Sequence, residues 1–142
     1  IWRKELRPDS GGAGTMRGGL GQYMEVGAKE GHEFDFSAMF DRVHHPARGR
    51  QAAGHGAPTT IKRSDGKEMR GKGKQFVPHG ARVVLAFPGG GGYGPPAERD
   101  PEMVKRDLAR GYISAQSAAL DYGLSDIVIA AVLHAIKTGE IE

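Results

Sequence analysis

A glycine-rich run in the second half of this 142-residue sequence has the composition of a phosphate-binding loop. It reads Pro88-Gly89-Gly90-Gly91-Gly92-Tyr93-Gly94-Pro95-Pro96. A nucleotide fingerprint requires a helix directly after its glycines, commonly with a Gly-Lys-Ser/Thr sequence. That sequence does not occur, and the next helix is predicted only at Pro101, beyond two prolines. The helix dipole that would hold a phosphate is therefore missing.

We interpret the run as a hinge or docking element rather than as a nucleotide cradle. Glycines permit positive φ angles and the close approach of another backbone, so Gly90, Gly91 and Gly92 suit tight packing against another part of the protein. Tyr93 is the large side chain able to anchor the run against a neighbouring surface. An alternative stays open, in which bare N–H groups form a nest for an anionic group.

The six histidines do not have the spacing of a metal site. Two ligands on one strand face need an i, i+2 spacing, and two on one helix face need i, i+4. No pair has either spacing among His32, His44, His45, His55, His79 and His134. Asp41 lies three residues before His44, which suits a loop, but a third ligand facing the same way cannot be assembled locally. We therefore predict no metal site and interpret the histidines as ordinary polar residues.

Residues for other hydrolytic chemistry are also missing. The sequence has no cysteine, which excludes disulfides, thiol catalysis and zinc–thiolate sites. No serine lies in a Gly-x-Ser-x-Gly nucleophile elbow, and Ser114 and Ser125 are explained as helix caps. Glu33 and Asp35 share the polar face of a predicted strand, where solvation is expected. The residues alone predict no catalytic machinery.

Composition and charge bound the kind of protein. The 23 glycines and 8 prolines exclude a helical bundle or a long coiled coil. The formal net charge is only +3, and the denser basic residues are Lys62, Arg63, Lys67, Arg70, Lys72 and Lys74. Asp65 and Glu68 dilute this basic patch, so we interpret it as a solvated face, with polyanion binding as the competing interpretation. The apolar run Ile127 to Leu133 is far shorter than the roughly 20 residues of a membrane helix.

Alternating polarity predicts strands in the first 87 residues. Leu20 to Ala28 and Glu33 to Asp41 alternate, and we expect them to pair antiparallel through the Glu30-Gly31-His32 turn. Thr59 to Arg63 and Lys67 to Met69 flank Ser64-Asp65-Gly66, which is typical of a tight hairpin. Ala81 to Phe87 is apolar on both faces apart from Arg82, which predicts an interior strand.

Helices are predicted after residue 96. Asp100 is a typical N-cap before Pro101, and Gly111 ends that helix. A second short helix follows the cap Ser114 and runs to Tyr122. The third stretch, Ser125 to Thr138, is followed by Gly139 as a stop and favours a helix, although its apolar run also fits a buried strand. The sequence thus predicts an α+β fold: an antiparallel β-rich body over residues 1–96 and a helical appendage of the same domain over 97–142.

Short motifs spread over nearly the whole chain keep a specific order. They are Leu6-Arg7-Pro8-Asp9-Ser10-Gly11-Gly12-Ala13-Gly14, Arg17-Gly18-Gly19-Leu20-Gly21, Asp41-Arg42, Asp65-Gly66, the glycine-rich run, Glu98-Arg99-Asp100-Pro101-Glu102, Gly111-Tyr112-Ile113-Ser114 and Asp121-Tyr122-Gly123. Each motif taken alone is typical of a turn and is not specific to any family. As an ordered set they resemble the B-type subunits of ATP-dependent hydantoinases and 5-oxoprolinases, a family that also includes acetone and acetophenone carboxylase subunits.

The resemblance implies ATP-dependent hydrolysis of a cyclic amide, either a hydantoin or 5-oxoproline, with ketone carboxylation as the alternative. It implies ATP and a divalent metal for the whole enzyme, whose ligands lie mostly upstream of these motifs, and neither cofactor in this stretch. The expected partners are the remainder of the same subunit and an ATP-handling hydantoinase A-type subunit or domain, with no nucleic acid or membrane, in the cytoplasm. The chain opens at Ile1 without an initiator Met, so we expect a C-terminal fragment that is not catalytic alone.

Two groups of residues are candidates for docking a substrate or a partner: Asp41 with Arg42, and the run from Gly90 to Tyr93. The loop after Arg42 departs from the family pattern, which usually has Pro-Pro and an aromatic-Gly pair. Here the loop begins Val43-His44-His45-Pro46-Ala47-Arg48-Gly49-Arg50. If this loop contacts substrate, a different specificity or a loss of activity is expected.

Overall fold

The computed structural model describes residues 1–140, in which strands come first and helices last. The strands are β1 (Arg3–Arg7), β2 (Gly21–Gly27), β3 (Phe34–Met39), β4 (Thr60–Arg63), β5 (Lys72–Val77) and β6 (Arg82–Ala86). A short 3₁₀ helix (Pro96–Glu98) leads to α1 (Pro101–Ala109), α2 (Ala115–Leu120) and α3 (Asp126–Thr138). This order confirms the predicted α+β class.

Four strands form an antiparallel sheet in the order β1-β2-β6-β4. The apolar strand β6 lies inside this sheet, as predicted, and its Val83 and Leu85 are buried. They pack with Ile61 of β4 and Val77 of β5 into the core of the body. Strand β6 has a hydrogen-bonded neighbour on each side, which confirms the interior position; its second face, which carries Val84, is only partly buried.

The predicted pairing of the two alternating segments is wrong. Strand β2 is bonded to β1 on one side and to β6 on the other, so neither of its edges is free for β3. Strand β3 pairs instead with β5 in a separate two-stranded sheet, with Phe34 opposite Val77. Gly31 does turn the chain, with φ of +84°, but the turn leads from one sheet to the other. Alternation identifies a buried face and not a partner strand.

Aromatic side chains connect the two-stranded sheet to the larger one. Phe36 and Phe40 stack with ring centroids 6.3 Å apart, and Phe40 contacts Phe87 at 5.9 Å. Phe87 directly follows β6, so this row joins β3 to the end of the central strand. An isolated two-stranded ribbon is marginal in water, and these contacts supply the cover that it needs.

The hairpin predicted around Asp65-Gly66 is present in shortened form. Gly66 has φ of +89°, and its N–H donates to the Arg63 carbonyl at 2.8 Å. The chain beyond the turn does not form a strand and contributes one bridge, between Lys62 and Glu68. Met69 then donates from its N–H to the Ile61 carbonyl at 2.9 Å. The turn is confirmed, and the second strand is reduced to this short contact.

The three helices form where their caps predict them. The Asp100 carboxylate accepts from the Glu102 N–H at 2.9 Å, and the Ser114 hydroxyl accepts from the Ser117 N–H at 3.1 Å. Ser125 holds the N-cap position of α3 without a side-chain hydrogen bond. Gly139 closes α3 with φ of +74°. The apolar stretch is therefore a helix, and the strand alternative is wrong.

The helices have a hydrophobic core of their own. Its buried members are Val104, Leu108, Ile113, Ala118, Ile129 and Val132. All of them come from residues after 100, which agrees with a helical C-terminal part, although the boundary at residue 96 stays a prediction. None of the helices described between residues 1 and 140 has the length and apolarity needed to cross a membrane.

Candidate functional site

The motifs that carry the resemblance meet at one place in the fold. Three loop segments, residues 9–19, 47–57 and 88–95, pack there backbone against backbone; we call this region the glycine junction. The glycine-rich run lies between the other two segments, since Tyr93 forms β-bridges with both Met16 and Arg50. Segments distant in sequence are thus held together without a regular sheet.

Protein carbonyls accept from most N–H groups of the glycine-rich run, although not from that of Gly91 among the described residues. The Gly90 N–H donates to the Gly19 carbonyl at 2.9 Å, and its own carbonyl accepts from the Gly12 N–H at 2.9 Å. The Gly92 N–H donates to the Gly54 carbonyl at 3.1 Å. These bonds favour the interpretation of close packing over a nucleotide cradle or an anion nest. The docking role of the run stays a prediction.

Lack of space, rather than a positive φ, requires glycine in most of the run. A Cβ on Gly91 would lie 2.3 Å from the Arg48 carbonyl oxygen, and one on Gly92 would lie 2.4 Å from that of Ala13. Neither residue has a positive φ, and within the run only Gly94 does, at +75°. The expectation that the run exploits left-handed backbone thus holds at that single position.

The two predicted groups of site residues lie apart. Asp41 and Arg42 line an open groove of about 1300 Å³, whose walls are residues 39–45 and 68–72 and whose lining does not include residues 90–93. The Phe40 N–H donates to the Gly71 carbonyl at 2.8 Å and ties the two walls together. The groove and the glycine junction are therefore two separate candidates.

The groove has an apolar floor and a charged rim. Half-buried Phe40, Val43, Met69 and Phe87 line it together with a buried threonine, Thr59. Within residues 1–140 the Thr59 hydroxyl has no hydrogen-bond partner. An apolar floor beneath a polar rim has the composition of a site that holds the apolar part of a small ligand or an inserted side chain.

An ion pair between Lys72 and Asp41 lies on the rim of the groove. Lys72 binds Asp41 and holds the pKa of that carboxyl below its usual range, chiefly through the hydrogen bond between them. Arg42, on the same rim, forms no ion pair within the described residues. Asp41 is thus occupied by an internal partner, and Arg42 is the charge of the predicted pair that is available to an anionic group.

A buried ion cluster joins the glycine junction to α1, and sequence reasoning missed it. The Asp107 carboxylate accepts from Arg17 at 2.9 Å and from Arg99 at 2.8 Å; Asp107 and Arg99 are buried, and Arg17 is partly buried. Arg99 also donates to the Thr15 carbonyl at 3.0 Å. Arg17 and Asp107 are 90 residues apart, so spacing carries no signal for the pair. Nearby, burial raises the pKa of Tyr122.

The basic patch from Lys62 to Lys74 is largely neutralised within the fold. Lys62 pairs with Glu68 at 2.8 Å, and Lys74 pairs with Asp35 at 2.8 Å. Arg63 is bound to Asp65, and Lys72 is held by Asp41 as described above. Paired charges offer little field to a polyanion, so the geometry favours the solvated-face interpretation.

The histidines do not converge on a metal site in the part of the chain that is described. No cluster of three or more His, Asp or Glu side chains lies in reach of one ion among these residues. His44 and His45 line the groove, and the His55 ring accepts from the Gly49 N–H at 3.0 Å. The described residues thus bring no set of metal ligands together, and the expected absence of a metal and of ATP from this stretch stays a prediction.

Comparisons with known proteins agree with the family resemblance that the ordered sequence motifs carry. The family model "Hydantoinase B/oxoprolinase" matches residues 1–96. An uncharacterised protein of Methanocaldococcus jannaschii is 38% identical over 127 residues, which cover 86% of this chain and 22% of that protein. The caprolactamase beta subunit of Pseudomonas jessenii is 30% identical over 132 residues, which cover 87% of this chain and 22% of that subunit.

Solved structures give the same result for the fold. The ATP-dependent caprolactamase of Pseudomonas jessenii superimposes with a TM-score of 0.73 at 27% identity, over 97% of this chain and 26% of that one. A nucleotide-free acetone carboxylase matches with a TM-score of 0.55 at 18% identity, over 96% of this chain and 24% of that one, and shows a shared fold. The chain spans about a quarter of the length of these proteins. With its family model matched over residues 1–96, the chain belongs to the hydantoinase B/oxoprolinase family.

Proposed function

We propose that this chain forms the C-terminal region of a hydantoinase B-type subunit and contributes to ATP-dependent hydrolysis of a cyclic amide. In that reaction water adds to the ring amide and the C–N bond breaks, which gives one ring-opened product with a carboxylate at one end and the protonated former ring nitrogen at the other. The observation that carries the proposal is the match of the whole fold to the ATP-dependent caprolactamase, with a TM-score of 0.73 over 97% of the chain.

The described residues support a structural and docking contribution rather than catalysis by this chain alone. They hold no cluster of metal-ligating side chains, and the glycine N–H groups named above are bonded to carbonyls. We therefore assign ATP and a divalent metal to other parts of the enzyme and derive no step through either. The ATP-handling function belongs, in this proposal, to an A-type partner subunit or domain.

Activity of the assembled enzyme tests the proposal. The gene product at its full length is co-expressed with the A-type subunit and incubated with hydantoin, 5-oxoproline or caprolactam. We expect ring-opened product, measured by mass spectrometry, together with ADP, and neither when ATP is omitted. Residues 1–142 alone are expected to give no product. Absence of ring opening with all three cyclic amides contradicts the proposal.

Ketone carboxylation is the alternative within the same family, and the acetone carboxylase shares the fold. The same preparation incubated with acetone, ATP and labelled bicarbonate separates the two activities. If label is incorporated into a keto acid and no ring is opened, the activity is ketone carboxylation rather than cyclic-amide hydrolysis. Sequencing upstream of Ile1 is the cheaper first step, because the proposal predicts several hundred further in-frame residues.

A further inference from the structure

Three exposed side chains stand side by side on one face of the glycine junction. Tyr93 is bridged to Met16 on one flank and to Arg50 on the other. Residues directly opposite each other in such bridges place their Cβ atoms on the same side, about 5 Å apart. Met16 is 62% exposed, Tyr93 is 57% exposed, and Arg50 is also exposed. An aromatic ring, a thioether and a guanidinium thus form one solvent-facing row.

The backbone beneath this row is fixed. Met16 and Tyr93 exchange two N–H···O bonds, each of 2.9 Å. The Arg50 N–H donates to the Gly92 carbonyl at 3.0 Å, and the Gly94 N–H donates to the Arg50 carbonyl at 3.1 Å. The close packing of the glycines beneath the row fixes the backbone that carries these three side chains. Binding a partner therefore costs little backbone conformational entropy.

The row carries unbalanced positive charge. No Asp or Glu occurs between Asp41 and Asp65. Arg48 and Arg50 are exposed, and in the described part of the chain neither takes part in an ion pair. A Cβ on Gly49, between them, would point into the protein, 2.3 Å from the Ala53 carbonyl oxygen. The arginines on either side of this inward-facing position are both exposed to solvent.

We propose that the face formed by Met16, Tyr93, Arg48 and Arg50 docks an acidic surface of a partner subunit. Aromatic residues, Met and Arg are enriched at protein interfaces, and Tyr and Arg supply many binding hot spots. The unpaired arginines favour a partner surface of opposite charge. In the basic patch from Lys62 to Lys74, by contrast, most cations are paired within the chain. The proposal rests on the proposed function only in requiring that a partner subunit exists.

Binding of the two subunits tests the proposal without substrate or ATP. The gene product at its full length is titrated with the purified A-type subunit in a calorimeter, at 50 mM and at 300 mM NaCl. We expect Tyr93→Ala and Arg50→Glu each to raise Kd at least tenfold. Wild-type binding should weaken with salt, and the salt dependence should be smaller for Arg50→Ala.

Two matched controls separate this face from the rest of the surface. Phe76 is 57% exposed, like Tyr93, but lies on β5, so Phe76→Ala should leave Kd within twofold. Lys67 is exposed and unpaired within residues 1–140, so Lys67→Glu controls for the charge reversal at Arg50. The melting temperatures of all variants should match that of the wild type, because the altered side chains are exposed.

Several results would overturn the proposal. They are an absence of wild-type binding, an unchanged Kd for Tyr93→Ala and Arg50→Glu, and equal losses in the control variants. A lower melting temperature of the Tyr93→Ala gene product alone would show that its own chain covers the face. Tight binding of duplex DNA that Arg50→Glu abolishes would show a nucleic-acid surface instead. Because no turnover is measured, a selective loss of binding stands even where no cyclic amide is hydrolysed.

Discussion

The substitution Gly92→Ala tests whether the glycine junction is held by close backbone packing. Gly92 does not have a positive φ, so alanine meets no conformational barrier there. Its Cβ, however, would lie 2.4 Å from the Ala13 carbonyl oxygen. Ordinary contact begins at 3.4 Å, so the two segments must separate by about 1 Å.

The cost follows from the hydrogen bonds that this separation breaks. Met16 and Tyr93, which lie on the two separating segments, exchange two N–H···O bonds of 2.9 Å each. The Gly12 N–H donates across the same contact to the Gly90 carbonyl at 2.9 Å. Three bonds at about 1 kcal/mol each give about 3 kcal/mol. Alanine also lowers the conformational entropy of the unfolded chain, which stabilises the folded state by about 0.4–1 kcal/mol. The net loss of stability is therefore about 2–3 kcal/mol.

Gly90→Ala is the matched control, two residues away in the same run. The nearest atom to its Cβ would be the Gly19 nitrogen at 3.2 Å, which requires a shift of only a few tenths of an ångström. Urea unfolding followed by circular dichroism measures both variants, and we expect Gly90→Ala to stay within about 1 kcal/mol of wild type.

Two results would refute this reasoning. One is a Gly92→Ala variant as stable as wild type, which would mean that the segments separate freely. The other is equal destabilisation by both substitutions, which would mean that the space around each glycine does not decide the cost. Tight ATP binding by wild-type residues 1–142, abolished by Gly91→Val, would additionally show that the run is a nucleotide cradle.

Three further predictions concern charge and capping. Asp107→Ala leaves the buried Arg99 and the partly buried Arg17 without their counter-charge and should cost about 3–5 kcal/mol in urea unfolding, while Asp65→Ala at the surface should cost far less. Asp100→Ala removes the cap of α1 and should cost about 1 kcal/mol in the same assay, with Asp100→Asn close to wild type. The Arg63 hydrogen bond lowers the pKa of Asp65 from 3.8 to about 2, so its stabilising contribution is present above about pH 4 and lost as pH falls toward 2. A carboxyl NMR titration measures that pKa, and an unchanged value in Arg63→Ala would contradict the assignment.

Local signals in the sequence predicted the elements whose causes are local. The caps Asp100 and Ser114 and the terminator Gly139 mark helix ends through bonds made within one turn. The Asp65-Gly66 turn is local as well, and the apolar composition of strand β6 is enough to predict that the strand lies inside a sheet. Each of these features needs no knowledge of a distant segment.

Features that depend on distant partners were missed. Strand β5 reads Lys-Gly-Lys-Gln-Phe-Val, a weak strand pattern that forms because β3 offers it an edge and Asp35 offers Lys74 a counter-charge at 2.8 Å. The ion cluster on Asp107 likewise joins residues 90 apart. For the candidate site, the glycines and Tyr93 were found by composition, but their partners Met16 and Arg50 carry no recognisable motif.

The glycine junction also couples the docking face to the helical core. Arg99 donates to the Thr15 carbonyl at 3.0 Å, and the Thr15 hydroxyl donates to the Pro95 carbonyl at 2.8 Å. Thr15 is the neighbour of Met16, and Pro95 lies in the same run as Tyr93. The buried carboxylate of Asp107 is therefore connected through Arg99 to the two segments that carry Met16 and Tyr93. In the proposed docking, the partner contacts a surface whose geometry is set by the helices as well as by the loop segments of the glycine junction, and this proposal gives the C-terminal helices an indirect role in assembly.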